Sequence, residues 1–89
     1  MSTIRIPPVL RENTGGSREL AADGGTVSEA LDDVFARFPA LRERVTEGGQ
    51  LSQFINVYVN GRDVRYAQGL ATAIADSDTI ILLPAMAGG

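Results

Sequence analysis

The sequence predicts an α+β roll: a hairpin, one main helix across one face of a sheet, and a final strand inserted centrally. Three observations carry that prediction. Apolar residues recur with helical spacing from Val27 to Phe38; an Asn60-Gly61 pair follows the β-forming run 54–59; and a last β-forming run, residues 79–83, ends at Pro84. The implied order is β-β-α-β-β-β.

Residues 3–7 alternate, with Ile4 and Ile6 on one side and Thr3 and Arg5 on the other, which reads as a half-buried strand stopped by Pro7-Pro8. Val9-Leu10 adds a contact before a polar turn over residues 11–16, and residues 17–21 return as the second arm of the hairpin. The Thr14–Ser17 stretch lacks the Gly-Lys of a phosphate loop and opens no helix, so it reads as a plain turn. After Asp23-Gly24-Gly25, Thr26 as N-cap and Glu29 three residues on form a capping box. Val27, Ala30, Leu31, Val34, Phe35 and Phe38 then define one buried face, with Glu29, Asp32, Asp33 and Arg37 toward water. Adjacent carboxylates on a helix diverge, so Asp32-Asp33 reads as a solvated face and not as a metal site.

Pro39 ends the helix. Residues 40–45 form one further turn, with Leu41 and Val45 inward, and residues 46–50 form a loop. Residues 54–59 read as a strand with Ile55, Val57 and Val59 inward, and Asn60-Gly61 suits a two-residue type I′ turn into a short edge strand, 63–65. Residues 69–74 connect onward, with Leu70 and Ile74 in the core, and Asp76-Ser77-Asp78 turns the chain into the last strand. Two aspartates at that spacing suit local N–H groups in a turn better than a cation. If Ile80 and Leu82 face the helix, Ile81 and Leu83 face away, and Tyr58 shares their side by alternation. That leaves an apolar patch suited to docking.

Composition narrows function by what it lacks. The 89 residues suffice for one domain, and 44% hydrophobic with 21% charged residues is ordinary globular composition. There is no His, Cys, Trp or Lys, and all eight cations are Arg. The commonest general base, a thiol nucleophile and the usual transition-metal ligands are therefore missing, which argues against self-contained catalysis. A net charge of −3 argues against a nucleic-acid module. No apolar run spans a bilayer and no long apolar leader precedes the domain, so the cytoplasm is the expected compartment.

Beyond Pro84 the side chains nearly vanish: Ala85, Met86, Ala87, Gly88, Gly89. Proline cannot continue a ladder, so the reading divides the chain into a domain, 1–84, and a thin tail, 85–89. Fully extended, that tail reaches roughly 17 Å, at about 3.4 Å per residue, and ends in one bare carboxylate.

These features together resemble the ubiquitin-like sulfur carriers of the ThiS/MoaD type. The likeness rests on the element order, Val59-Asn60-Gly61 at a hairpin, Ile74-Ala75-Asp76-Ser77-Asp78 before the last strand, and residues 84–89. It covers essentially the whole chain. One departure is Ser77, where the family usually has Gly. Residues 54–60, 69–76 and 83–89 and the loop 14–16 look most like the carriers of actinobacterial cysteine biosynthesis.

The resemblance implies a β-grasp fold, a mixed sheet with one main helix across one face, and a carrier in place of an enzyme. It implies that an E1-like adenylyltransferase/sulfurtransferase adenylates Gly89 and converts it to a thiocarboxylate. A pyridoxal-phosphate-dependent synthase then uses that sulfur to make cysteine from O-phosphoserine, and a JAMM-type zinc metalloprotease releases the product. ATP, pyridoxal phosphate and zinc belong to those partners; this chain binds no cofactor or metal, no nucleic acid and no membrane. Gly88, Ala87, Met86, Leu83, Ile81 and Tyr58 are the partner-binding residues. Three alternatives stay open: sulfur donation to a molybdenum-cofactor or thiazole precursor, a ubiquitin-like protein modifier, and a plain interaction domain.

Overall fold

The computed structural model describes residues 1–85. Strand β1 (Ser2–Arg5) leads through a 3-10 turn, Pro8–Thr14, to β2 (Glu19–Ala22). Helices α1 (Val27–Arg37) and α2 (Pro39–Val45) follow, then two-residue strands β3 (Thr46–Glu47) and β4 (Gln50–Leu51). Strands β5 (Ile55–Val59) and β6 (Arg62–Asp63), two short 3-10 turns and β7 (Thr79–Pro84) complete the described chain.

The main sheet has the order β2-β1-β7-β5-β6, which makes the last strand its centre. β7 runs parallel to β1 and antiparallel to β5, while β2 and β6 are the edges. Alternation sorts its side chains as expected. Ile4, Leu20, Ile55, Val57, Ile80 and Leu82 are buried, together with Val27, Ala30, Leu31, Val34 and Phe35 of α1. Leu41 and Val45 of α2 close the end of this core. Each of these side chains larger than Ala30 contributes about 1.5–3 kcal/mol by leaving water. Val59, Leu70 and Ile74 were expected inside but are partly buried residues packed against the core rim.

The cap of α1 is built from both directions. Thr26 Oγ1 accepts the Glu29 N–H at 3.2 Å, and Glu29 Oε1 accepts the N–H of Gly25, not of Thr26, at 2.7 Å. The reciprocal bond therefore reaches one residue further back, which draws Gly24-Gly25 against the helix. Gly24 sits at φ +146°, and a Cβ there would lie 2.6 Å from Glu29 Cβ and 2.7 Å from the Ala30 nitrogen. Gly24→Ala should combine that clash with a left-handed φ and cost about 2–3 kcal/mol. Urea unfolding checks this; a midpoint equal to that of the parent protein would show that the loop relaxes freely.

Several local expectations change. The predicted loop 46–50 is a small hairpin, β3 with β4, turned by Gly48 and Gly49 at φ +60° and +81°. The polar turn 11–16 is mostly 3-10 helix, and it buries Thr14. Thr14 Oγ1 lies 3.1 and 2.9 Å from the carbonyl oxygens of Arg11 and Ser17, so the buried hydroxyl is satisfied. The edge strand is Arg62–Asp63 only, and Val64 is buried at the start of a 3-10 turn.

The last strand ends at Pro84, as expected, with Pro84 itself as its final residue. Pro84 pairs with Ile55, and the Ala85 N–H donates to the Phe54 carbonyl at 2.8 Å. That bond identifies the Pro84–Ile55 pair as a non-hydrogen-bonded one, in which neither N–H points across the ladder. Proline is tolerated there because the donor it lacks would have faced away from β5.

Candidate functional site

The site to be built is the place where the chain leaves the sheet. Its foundation is the turn before β7. Asn60 adopts φ 50° and Gly61 φ 87°, the two positive values that a type I′ turn requires. Asn60 also fastens this turn to β7: its Nδ2 donates to Asp78 Oδ1 at 2.8 Å, and its Oδ1 accepts the Thr79 N–H at 3.1 Å. Asp78 Oδ2 accepts the Ala75 N–H at 2.8 Å. The Ala75 N–H first, and Asn60 second, hold the Asp78 carboxyl below its ordinary 3.8. A lowered folded pKa stabilises the ionised turn above the unfolded value, and that contribution is lost as pH falls through the folded one. The two central motifs noted in the sequence, Asn60-Gly61 and Asp76-Ser77-Asp78, are thus one bonded unit.

At the other end of β7, Arg65 clamps the start of β5. Its Nη1 donates to Asn56 Oδ1 at 2.6 Å, and its Nη2 donates to the carbonyls of Ser52 at 3.1 Å and Ile55 at 2.8 Å. Phe54 lies inside that clamp, and it is the Phe54 carbonyl that holds Ala85. The departure point of the chain is therefore set by two ladder strands and a guanidinium.

The sheet face opposite α1 carries a cross-strand row. Glu19, Arg5, Ile81, Tyr58 and Asp63 are successive partners across all five strands. Ile81 and Tyr58 are half-buried side by side at its centre. Leu83 is 41% exposed, while its neighbour Leu82 is fully buried. An apolar centre flanked by charges of both signs is suited to contact with a partner surface. Met86, Ala87, Gly88 and Gly89 lie outside the described residues.

Sequence reasoning missed two contributors. Phe54 was placed in a strand as one more apolar residue; it is 54% exposed and supplies the anchoring carbonyl. Its parity with Asn56 and Tyr58 was the available signal. Arg65 carried no local signal, because its setting depends on contacts with Ser52, Ile55 and Asn56 on earlier segments.

A family model described as the ThiS family matches residues 4–89. The chain belongs to the ThiS family. Sulfur carrier protein CysO of Mycobacterium tuberculosis is 44% identical over 90 residues, covering 98% of this chain and 97% of that protein. The crystal structure of the Amycolatopsis orientalis BexX/CysO complex contains a chain that matches with a TM-score of 0.93 at 45% identity, covering 100% of both. The solution structure of small archaeal modifier protein 1 from Methanosarcina acetivorans matches at 0.86 and 33% identity, covering 99% and 95%. The ThiS-family chain accordingly has the ubiquitin-like β-grasp fold, and its relatives include sulfur carrier proteins. No helix among the described residues is long and apolar enough to cross a membrane.

Proposed function

We propose that this ThiS-family chain carries sulfur as a C-terminal thiocarboxylate for cysteine synthesis. The Gly89 carboxylate attacks the α-phosphorus of ATP on an E1-like activating enzyme and expels pyrophosphate. Hydrosulfide then attacks the acyl carbon, AMP leaves, and the thiocarboxylate remains. That sulfur adds to an aminoacrylate formed from O-phosphoserine on a pyridoxal-phosphate synthase, and a JAMM-type zinc metalloprotease frees the cysteine from Gly89. ATP, pyridoxal phosphate and zinc act on the partners. Ile81, Leu83 and Tyr58, with residues 86–89, form the contact surface for them, and the reactions take place in the cytoplasm.

The observation that supports this reading is the end-to-end match: the family model runs to Gly89, and CysO aligns over nearly all of both chains. The absence of Cys and His suits it, since a covalently held thio-acid needs neither a thiol nor a base on the carrier. The BexX/CysO complex supports the expectation of a protein partner for this fold. Donation to a molybdenum-cofactor or thiazole precursor would use the same carrier chemistry.

A second reading is favoured by the likeness to small archaeal modifier protein 1: conjugation of Gly89 to protein lysines. Reconstitution separates the two. With the activating enzyme, a sulfur source, O-phosphoserine and the synthase, intact-mass analysis should show first an oxygen-to-sulfur exchange and then an adduct of one cysteine. Conjugates to protein lysines without any cysteine adduct would establish the modifier reading instead.

A further inference from the structure

Beside the end of β7 the sheet opens. β1 pairs with β7 only from Thr3 to Arg5, opposite Thr79 to Ile81, and then turns away at Pro7-Pro8. β7 continues to Pro84 against β5 alone. The gap left on its other flank is a concavity of about 620 Å³, walled by Pro7, Pro8, Leu83 and Pro84.

This gap faces a backbone acceptor that no donor from β1 meets among the described residues. The Thr3 N–H donates to the Asp78 carbonyl at 3.1 Å, and stepping by two residues along both parallel strands brings position 7 opposite the Leu82 carbonyl. Position 7 is proline, which has no N–H to give. An incoming extended backbone could supply that donor.

The charge is equally uneven. Arg5, Arg11 and Arg18 line the concavity with a single carboxylate, Glu19. Three of the eight arginines and one of the eleven acidic side chains give this patch +2 and leave −5 on the rest of the chain. Arg11 donates through Nε to the Ile6 carbonyl at 3.2 Å, whereas Arg5 and Arg18 are exposed. The ion pairs among the described residues are Met1 with Asp76 and Arg37 with Asp33, so none involves these three. A small positive patch on an acidic body favours a short acidic segment over a long polyanion, which the surrounding charge would repel.

We propose that this concavity is a docking groove for an acidic, extended segment of the ATP-dependent activating enzyme. The proposal rests on the carrier reading, and it fits the reach of the tail. Five residues from Ala85 to Gly89 span at most roughly 17 Å, so an enzyme holding Gly89 must come close to the groove. Carboxylates of the segment meet Arg5 and Arg18, its N–H meets the Leu82 carbonyl, and its apolar side chains lie on the prolines and Leu83.

The test compares Arg5→Glu and Arg18→Glu with Arg44→Glu, which makes the same charge change on exposed α2. For adenylation, each groove variant should raise KM for the carrier about tenfold at unchanged kcat, as loss of a complementary charge does. Arg5→Lys and Arg18→Lys should restore most of the loss, and Arg44→Glu should stay near the parent value. An unchanged KM in the groove variants, or an equal rise in Arg44→Glu, would overturn the groove. If the parent chain is not adenylated at all, the carrier reading fails instead. The groove itself is then judged by NMR titration with a peptide of alternating Glu and Val. Shifts confined to the amides of Arg5, Arg18, Leu82 and Leu83 and abolished near 1 M salt, where screening acts within about 3 Å, would uphold it. No shifts, or the same shifts from inorganic phosphate alone, would refute it.

Discussion

Leu82→Asp should leave the domain largely unfolded, while Leu83→Asp, one residue on, should fold. Leu82 is fully buried in the central strand, and no cation is available to a carboxylate among Ile4, Val57 and Ile80. A buried unpaired charge costs about 4 kcal/mol or more, a large part of the 5–15 kcal/mol that a domain has. Leu83 points the other way and is 41% exposed, so its replacement should shift stability by no more than about 1 kcal/mol. Its cost should instead appear in binding to the activating enzyme, on the order of 2 kcal/mol, as for a central apolar anchor. Thermal melting and affinity, measured on both variants, check the assignment. A folded Leu82→Asp with an unfolded Leu83→Asp would mean that the faces are inverted.

Deleting Gly89, or replacing Gly88 with Trp, should abolish transfer of AMP without altering the melting temperature. An active-site channel that admits a thin peptide positions the carboxylate by excluding width, and a displacement of about 1 Å at the reacting atom can cost 10²-fold in rate. Pyrophosphate exchange stimulated by each variant is the measurement. Exchange at the parent rate with the truncated chain would remove Gly89 from the reaction.

What could be read from the sequence depended on the length of each signal. The α1 face ran over three turns, and the strands 3–7, 54–59 and 79–83 were long enough to alternate, so the core and both sheet faces were legible. β3 and β4 have two residues each, too short for any period, and their Gly48-Gly49 turn looked like a loop. Thr14 was read as part of a polar turn, and its burial was not legible because only the fold brings two carbonyls to its hydroxyl. Pro84 was read as the stop and is the last residue of β7; its own pairing with Ile55 was not legible, since the sequence shows the missing donor but not which side of the strand it would have faced. Arg5, Arg11 and Arg18 come from three separate segments, and nothing local announces that they converge.

The central position of β7 also has a mechanical meaning. A partner that draws the C terminus into an active site pulls along the axis of the central strand, which is held on both sides, by β1 and by β5. Hydrogen bonds of both ladders lie across that pull. They are loaded in shear, several at once, whereas an edge strand such as β2 or β6 would peel away one bond at a time. The far end of β7 is pinned as well, through Thr79 to Asn60 and Asp78 to Ala75. Traction on the tail is therefore carried into the body of the sheet, and the first contact to yield is the single Ala85–Phe54 bond at its mouth.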